Sequence, residues 1–159
     1  MSQSEVPLKF LASEVVSMQE VTAGLFVADI EQAGDHARYD AHAITDVLKL
    51  THEPPETGYP RSVTIHEFAM MDGPRNDQVI LQRAVATAVD QLAAGGRVVI
   101  HCSAGASRSV AVAAATIAVR QDRRFETGLD VIRERLSPTL HPSVRENAAA
   151  AVESLREES

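Results

Sequence analysis

The chain has 159 residues, enough for one domain around one core. Its 45% hydrophobic content is ordinary for a globular protein, and a formal net charge of −7 argues against nucleic acid as a bulk partner. A single cysteine excludes an internal disulfide and points to a reducing compartment, the cytoplasm.

Residues 1–19 carry no recognisable pattern and read as an N-terminal extension of unclear role, ahead of a domain over 20–157. The opening Met-Ser-Gln-Ser-Glu lacks a basic n-region and an apolar run, so no signal peptide is expected. No stretch is long and charge-free enough to span a membrane, and no membrane partner is expected. The chain is expected to be a monomer. Residues 21–28 read as a strand, 33–42 as a short helix and 43–51 as a buried strand. The loop over 52–59 is broken by Pro54-Pro55 and Gly58. A strand follows over 63–68, then a turn at Asp72-Gly73-Pro74. Asn76 or Asp77 can cap a helix that runs to about Ala94 and stops at Gly95-Gly96. Val98-Val99-Ile100 is a short β-branched run that suits a buried strand.

The helix over 108–121 is apolar all round and so should be central and buried. Residues 126–136 are amphipathic. Ser143-Val144-Arg145-Glu146, just after Pro142, reads as a capping box for a last helix to about Arg156. Strands alternating with helices predict an α/β fold, a central mainly parallel sheet flanked by helices in a single domain. Of the 15 basic residues only Lys9 and Lys49 are lysines, which fits either a salt-adapted surface or a GC-rich genome.

The chemistry concentrates at 101–109, His-Cys-Ser-Ala-Gly-Ala-Ser-Arg-Ser. The strand ends there, five small residues follow Cys102, and Arg108 opens the apolar helix. Loop N–H groups and a helix N-terminus facing one point form a cradle for an oxyanion. The Arg108 guanidinium can grip two of its oxygens at once. The same positive field favours the thiolate of Cys102, and a thiolate beneath a bound phosphate is an in-line nucleophile. Other motifs are incomplete. His52-Glu53 and His66-Glu67 lack the second histidine of a zinc-protease helix, and Gly105-Ala106-Ser107 lacks the closing glycine of a nucleophile elbow. No metal and no cofactor is assigned.

The run from His101 to Ser109 resembles the signature loop of the cysteine-dependent protein tyrosine phosphatases. Its Ser107-Arg108-Ser109 ending is similar to the dual-specificity branch. The resemblance covers roughly 20–153. Leu25-Phe26-Val27-Ala28 is similar to the family's first strand, residues 43–48 to its next one, and Arg133-Glu134-Arg135 with residues 138–142 to the segment before its last helix. It implies a protein tyrosine phosphatase-like fold and a dual-specificity phosphatase acting on phosphorylated proteins, through a cysteinyl-phosphate at Cys102. Arg108 would bind the phosphate and stabilise the transition state, with Ser103, Ala104, Gly105, Ala106 and Ser107 offering N–H groups to it. Asp72, 30 residues ahead of Cys102 on a loop after a strand, stands where the family keeps its general acid. Asp77 is the rival, with helix capping as its other role. Ser109 would support the leaving thiolate, or else cap the helix. His101 would orient the loop. The absence of Trp excludes the Trp-Pro-Asp loop of the tyrosine-specific branch. The family's buttressing Asn before the last helix is replaced by Ser143. A shallow pocket, with only Tyr39 and Tyr59 to supply a phenol rim, would admit phosphotyrosine and phosphoserine/phosphothreonine alike. The alternatives are a phosphoinositide or RNA 5′-phosphatase on the same fold, a non-catalytic phospho-residue binding module, and a sulfurtransferase. No positive side chain apart from Arg108 lies in the loop to favour a polyanion.

Overall fold

The computed structural model describes residues 18–158 apart from Arg75 and Gly105. Five strands form one sheet in the order β1-β2-β5-β3-β4: β1 (Gln19–Thr22), β2 (Leu25–Ala28), β3 (Asp46–Lys49), β4 (Thr64–Glu67) and β5 (Val98–His101). The pairs β2–β5, β5–β3 and β3–β4 are parallel, as expected, and β1 alone is antiparallel. The single strand expected over 21–28 is therefore a hairpin. The chain turns at Ala23-Gly24, where Gly24 has φ +80° and its N–H donates to the Glu20 carboxylate at 2.9 Å. Met18 and Gln19, assigned to the extension, are packed: Met18 is buried and Gln19 begins β1.

Alternate strand residues face opposite sides, and both sides are covered. On one, Phe26, Val47 and Val99 pack with Tyr39 and Ile44 beneath two short helices, α1 (Ile30–Ala33) and α2 (His36–His42). One helix was expected here. Asp29 and Gln32 instead close a capping box on α1, and Gly34 ends it. On the other side Leu25, Val27, Leu48, Val98 and Ile100 meet four helices: α3 (Gln78–Ala93), α4 (Arg108–Gln121), α5 (Phe125–Arg133) and α6 (Pro142–Glu158).

The α4 helix is central, with the run from Ser109 to Ala118 buried. Its alanines allow close approach, nearest at Gly128 of α5. A Cβ there would stand 2.0 Å from the Ala114 carbonyl oxygen. Gly128→Ala must push α5 off α4 and is expected to destabilise the fold by about 1–3 kcal/mol, read as a lower urea midpoint. An unchanged midpoint would mean that α5 is not seated this tightly.

The last helix starts differently from the sequence expectation. Pro142 is its first residue and Ser143 lies within it, so no Ser143 capping box forms. The His141 ring Nδ1 accepts the Ser143 N–H at 3.1 Å and does the capping.

Candidate active site

β5 sits in the middle of the sheet, and its three apolar residues are fully buried between its neighbours. It delivers His101 and Cys102 to the carboxyl edge, where α/β sheets place ligands. The Cys102 N–H continues the ladder to the Ala28 carbonyl at 3.4 Å, and the chain then leaves the sheet. Six residues after Cys102 it enters α4, so that helix N-terminus closes the turn. The two ends of this loop are tied outward. Ser103 C=O accepts the Ile30 N–H of α1 at 3.2 Å, and Ala106 C=O accepts the Thr139 N–H at 3.2 Å. The N–H groups of Ser103, Ala104, Ala106 and Ser107 make no hydrogen bond among the described residues. Gly105, expected to contribute another, lies outside the described residues.

Cys102 is buried, 2% exposed, and its sulfur lies 3.2 Å from Ser109 Oγ on the first turn of α4. As a thiol, Cys102 donates along this contact. As a thiolate it would accept from the hydroxyl. Ser109 is fully buried, and it is Ser107, not Ser109, that occupies the N-cap position of α4.

Ser107 makes no capping bond, because its hydroxyl is used elsewhere. It donates to Asp72 Oδ1 and accepts the His141 N–H at 3.1 Å. Ser107 thus departs from the usual N-cap role and joins three segments instead. The support expected from an Asn at the Ser143 position thus comes from the backbone of Thr139 and His141.

Arg108 bridges in two directions. Nη1 donates to the Met70 carbonyl at 2.8 Å and Nη2 to Ser103 Oγ at 3.0 Å. Its Nε is buried with no acceptor among the described residues. A buried guanidinium N–H left without an acceptor is costly. It is a donor poised for an oxyanion.

The Met70 tie brings the loop between β4 and α3 over the signature loop, and Asp72 is the residue it presents. Asp72 is exposed apart from its bond with Ser107. Asp77 does something else. Its carboxylate caps α3 by accepting the Val79 N–H at 2.9 Å. The structure therefore brings Cys102, Arg108, Ser109, Ser107 and Asp72 together and sets Asp77 to capping.

Behind the loop, His101 is fully buried and its Nε2 shares a 2.6 Å hydrogen bond with the Tyr59 hydroxyl. Its Nδ1 is buried with no hydrogen-bond partner among the described residues. Burial lowers its pKa to about 4, with Lys49 and Arg108 adding charge repulsion, so the ring is neutral at physiological pH. Burial, and after it the Glu67 carboxylate, hold the Tyr59 phenol well above its ordinary range. Tyr39 forms no rim. It is buried with its hydroxyl on the Ala33 carbonyl at 2.6 Å. A cleft of about 340 Å³ lined by Ile30, Glu31, Pro55, Glu56 and Thr57 adjoins the loop through the Ile30–Ser103 bond.

A central parallel strand, a cysteine loop ending in arginine at a helix N-terminus, and an aspartate loop above it define a class. The chain has the fold of the dual-specificity phosphatases of the protein tyrosine phosphatase superfamily. No model of a protein family matches it. Among curated proteins it is 28% identical over 151 residues to mouse dual specificity protein phosphatase 12, covering 91% of this chain and 42% of that protein. The chain thus spans less than half the length of this relative. Among solved structures, human DUSP28 matches with a TM-score of 0.78 at 20% identity, covering 88% of this chain and 99% of that one. DUSP15 matches with a TM-score of 0.75 at 20% identity, covering 90% and 94%.

Proposed function

We propose that residues 20–157 form a cysteine-dependent dual-specificity protein phosphatase. It would hydrolyse phosphotyrosine and phosphoserine/phosphothreonine monoesters. One observation carries the reading: a single arginine, Arg108, spans from the cysteine loop to the Met70 carbonyl of the aspartate loop and keeps a buried Nε–H without an acceptor.

In the first step Cys102 Sγ attacks phosphorus, the S–P bond forms and the ester P–O bond breaks. Arg108 and the loop N–H groups hold the equatorial oxygens as charge gathers on them. Asp72 gives its proton to the leaving oxygen. In the second step Asp72, now a carboxylate, takes a proton from water, whose oxygen attacks phosphorus. The S–P bond breaks, and Ser109 Oγ–H donates to the departing thiolate.

A protein substrate is favoured over a polyanionic lipid or RNA end by the carboxylates of Glu31 and Glu56 in the adjoining cleft. A nucleophile that must stay reduced supports the cytoplasm as its compartment. Among the described residues, Met71 and Val79 are the exposed large hydrophobics, which supports a monomer. No helix among them is long and apolar enough to cross a membrane.

Turnover separates an enzyme from a phospho-residue binder, and the acid is tested through the leaving group. Asp72→Asn is expected to slow poor aryl leaving groups on the order of 10²-fold or more, and good ones far less. It should also remove the limb of the pH–rate profile that requires a protonated acid. The same pattern for Asp77→Asn, with Asp72→Asn unaffected, would reverse the assignment.

A further inference from the structure

We propose that Asn76 is a positioning residue for the proton donor: its side-chain amide fastens the aspartate loop on both sides of Asp72. The inference rests on the reading of Asp72 as general acid and adds the residue that holds it in place.

The Met71 N–H donates to Asn76 Oδ1 at 2.6 Å. Asn76 Nδ2 donates in turn to the Met71 carbonyl, and to the Gly73 carbonyl at 3.1 Å. One planar amide thus satisfies three backbone groups, two on the residue before Asp72 and one on the residue after. Only a primary amide offers the donors and the acceptor together at this reach, which also fixes its orientation.

The setting shows why a fastening matters. Met71 is half-exposed and Asp72 is exposed, and neither belongs to a strand or helix that could hold it. An exposed loop of this kind is ordinarily mobile. From below it is tied to the signature loop by Arg108 on Met70 and by Ser107 on Asp72. From the other side Asn76 ties it to the start of α3, which the adjacent Asp77 caps. The Ser107 bond is one that Asp72 must loosen to reach a leaving oxygen. The Asn76 amide remains engaged when that happens, so the carboxyl can turn without the backbone beneath it drifting. Proton transfer in a transition state is steep in distance, and a misplacement of about 1 Å can cost up to about 10²-fold. Asn76 touches no reacting atom and acts through Asp72 alone.

The test uses the full chain and a series of aryl phosphates of rising leaving-group pKa. Asn76→Ala is expected to lower kcat on the poorest leaving group by about tenfold or more, to leave the best leaving group nearly unchanged, and so to steepen the dependence. Asn76→Asp keeps the acceptor for Met71 N–H but sets a carboxylate against two carbonyls, so it should not rescue. Asp77→Ala serves as the comparison for stability, with a lower unfolding midpoint and an unaltered slope. A wild-type slope in Asn76→Ala beside a steepened Asp72→Asn overturns the inference alone. An unaltered slope in Asp72→Asn overturns the acid assignment and this inference with it. An equal loss on every leaving group marks Asn76 as structural and overturns the inference.

Discussion

Cys102→Ser is expected to end turnover, a loss on the order of 10³-fold or more, while the fold and phosphate binding survive. The substitution is nearly isosteric, so the buried position at the end of β5 tolerates it. The Ser109 contact, the outward ties of Ser103 and Ala106, and the Arg108 bridge all remain available. What is lost is the more acidic and more nucleophilic sulfur. A loop of N–H groups at a helix N-terminus can stabilise a thiolate at neutral pH, but an alkanol hydroxyl is far too weak an acid for the same field to ionise. His101 cannot take the hydroxyl proton in place of a base, because burial lowers its pKa to about 4. Steady-state turnover and calorimetric binding of inorganic phosphate, on the same preparation, separate the two effects. Turnover within about tenfold of wild type would contradict a nucleophilic role, since such a role carries several orders of magnitude.

Arg108→Lys is expected to cost about 10²–10³-fold in kcat, although the charge is kept. An ammonium is a single point with a shorter reach. It cannot supply a planar pair of donors to a phosphate and also hold the Met70 carbonyl and Ser103 Oγ, as Arg108 does from Nη1 and Nη2. The variant should therefore fail twice, in stabilising equatorial charge and in keeping the aspartate loop over the site. Two readouts separate these failures. Loss of equatorial stabilisation lowers kcat on every leaving group, whereas a loosened aspartate loop adds a further loss on poor leaving groups only. Wild-type kcat in this variant would show that the guanidinium fork is dispensable.

The parts of this fold that were legible in the sequence are those set by local pattern. The run Val98-Val99-Ile100 is uniformly apolar and β-branched, and it is the central strand. The α4 helix, apolar on every face, is buried on nearly every face. Cys102 and Arg108 were legible together because the spacing around a helix N-terminus is itself a local property. The β1–β2 hairpin was not, since Thr22-Ala23-Gly24 interrupts an apolar run with a single glycine and no strong turn pair. The division of α1 from α2 rests on Gly34 and on an Asp29–Gln32 box that falls before the stretch read as helical. The start of α6 differs from the sequence pattern because an imidazole nitrogen does the capping, outside the usual Ser, Thr, Asp and Asn.

Site residues that sequence reasoning missed are non-local or belong to the backbone. Tyr59 is expected only at the pocket rim, and its hydrogen bond to His101 spans 42 residues of chain. The Met70 carbonyl, the Thr139 N–H and the His141 N–H are groups any residue would supply at those positions, so no side-chain signal marks them. Asn76 carries a helix-capping signal in the sequence. The structure gives the cap to Asp77 and the loop to Asn76.

The central claim is that a phosphoryl group passes through the sulfur of Cys102. Acid-quenching the Asp72→Asn variant during turnover of an aryl phosphate with a good leaving group tests it most directly. The first step then needs little proton donation, and the second is slowed by loss of the base. Intact mass and peptide mapping should show one phosphoryl adduct per chain, on Cys102, absent when Cys102→Ser is combined with it. Sustained turnover with no adduct, or an adduct on any other residue, would contradict the account.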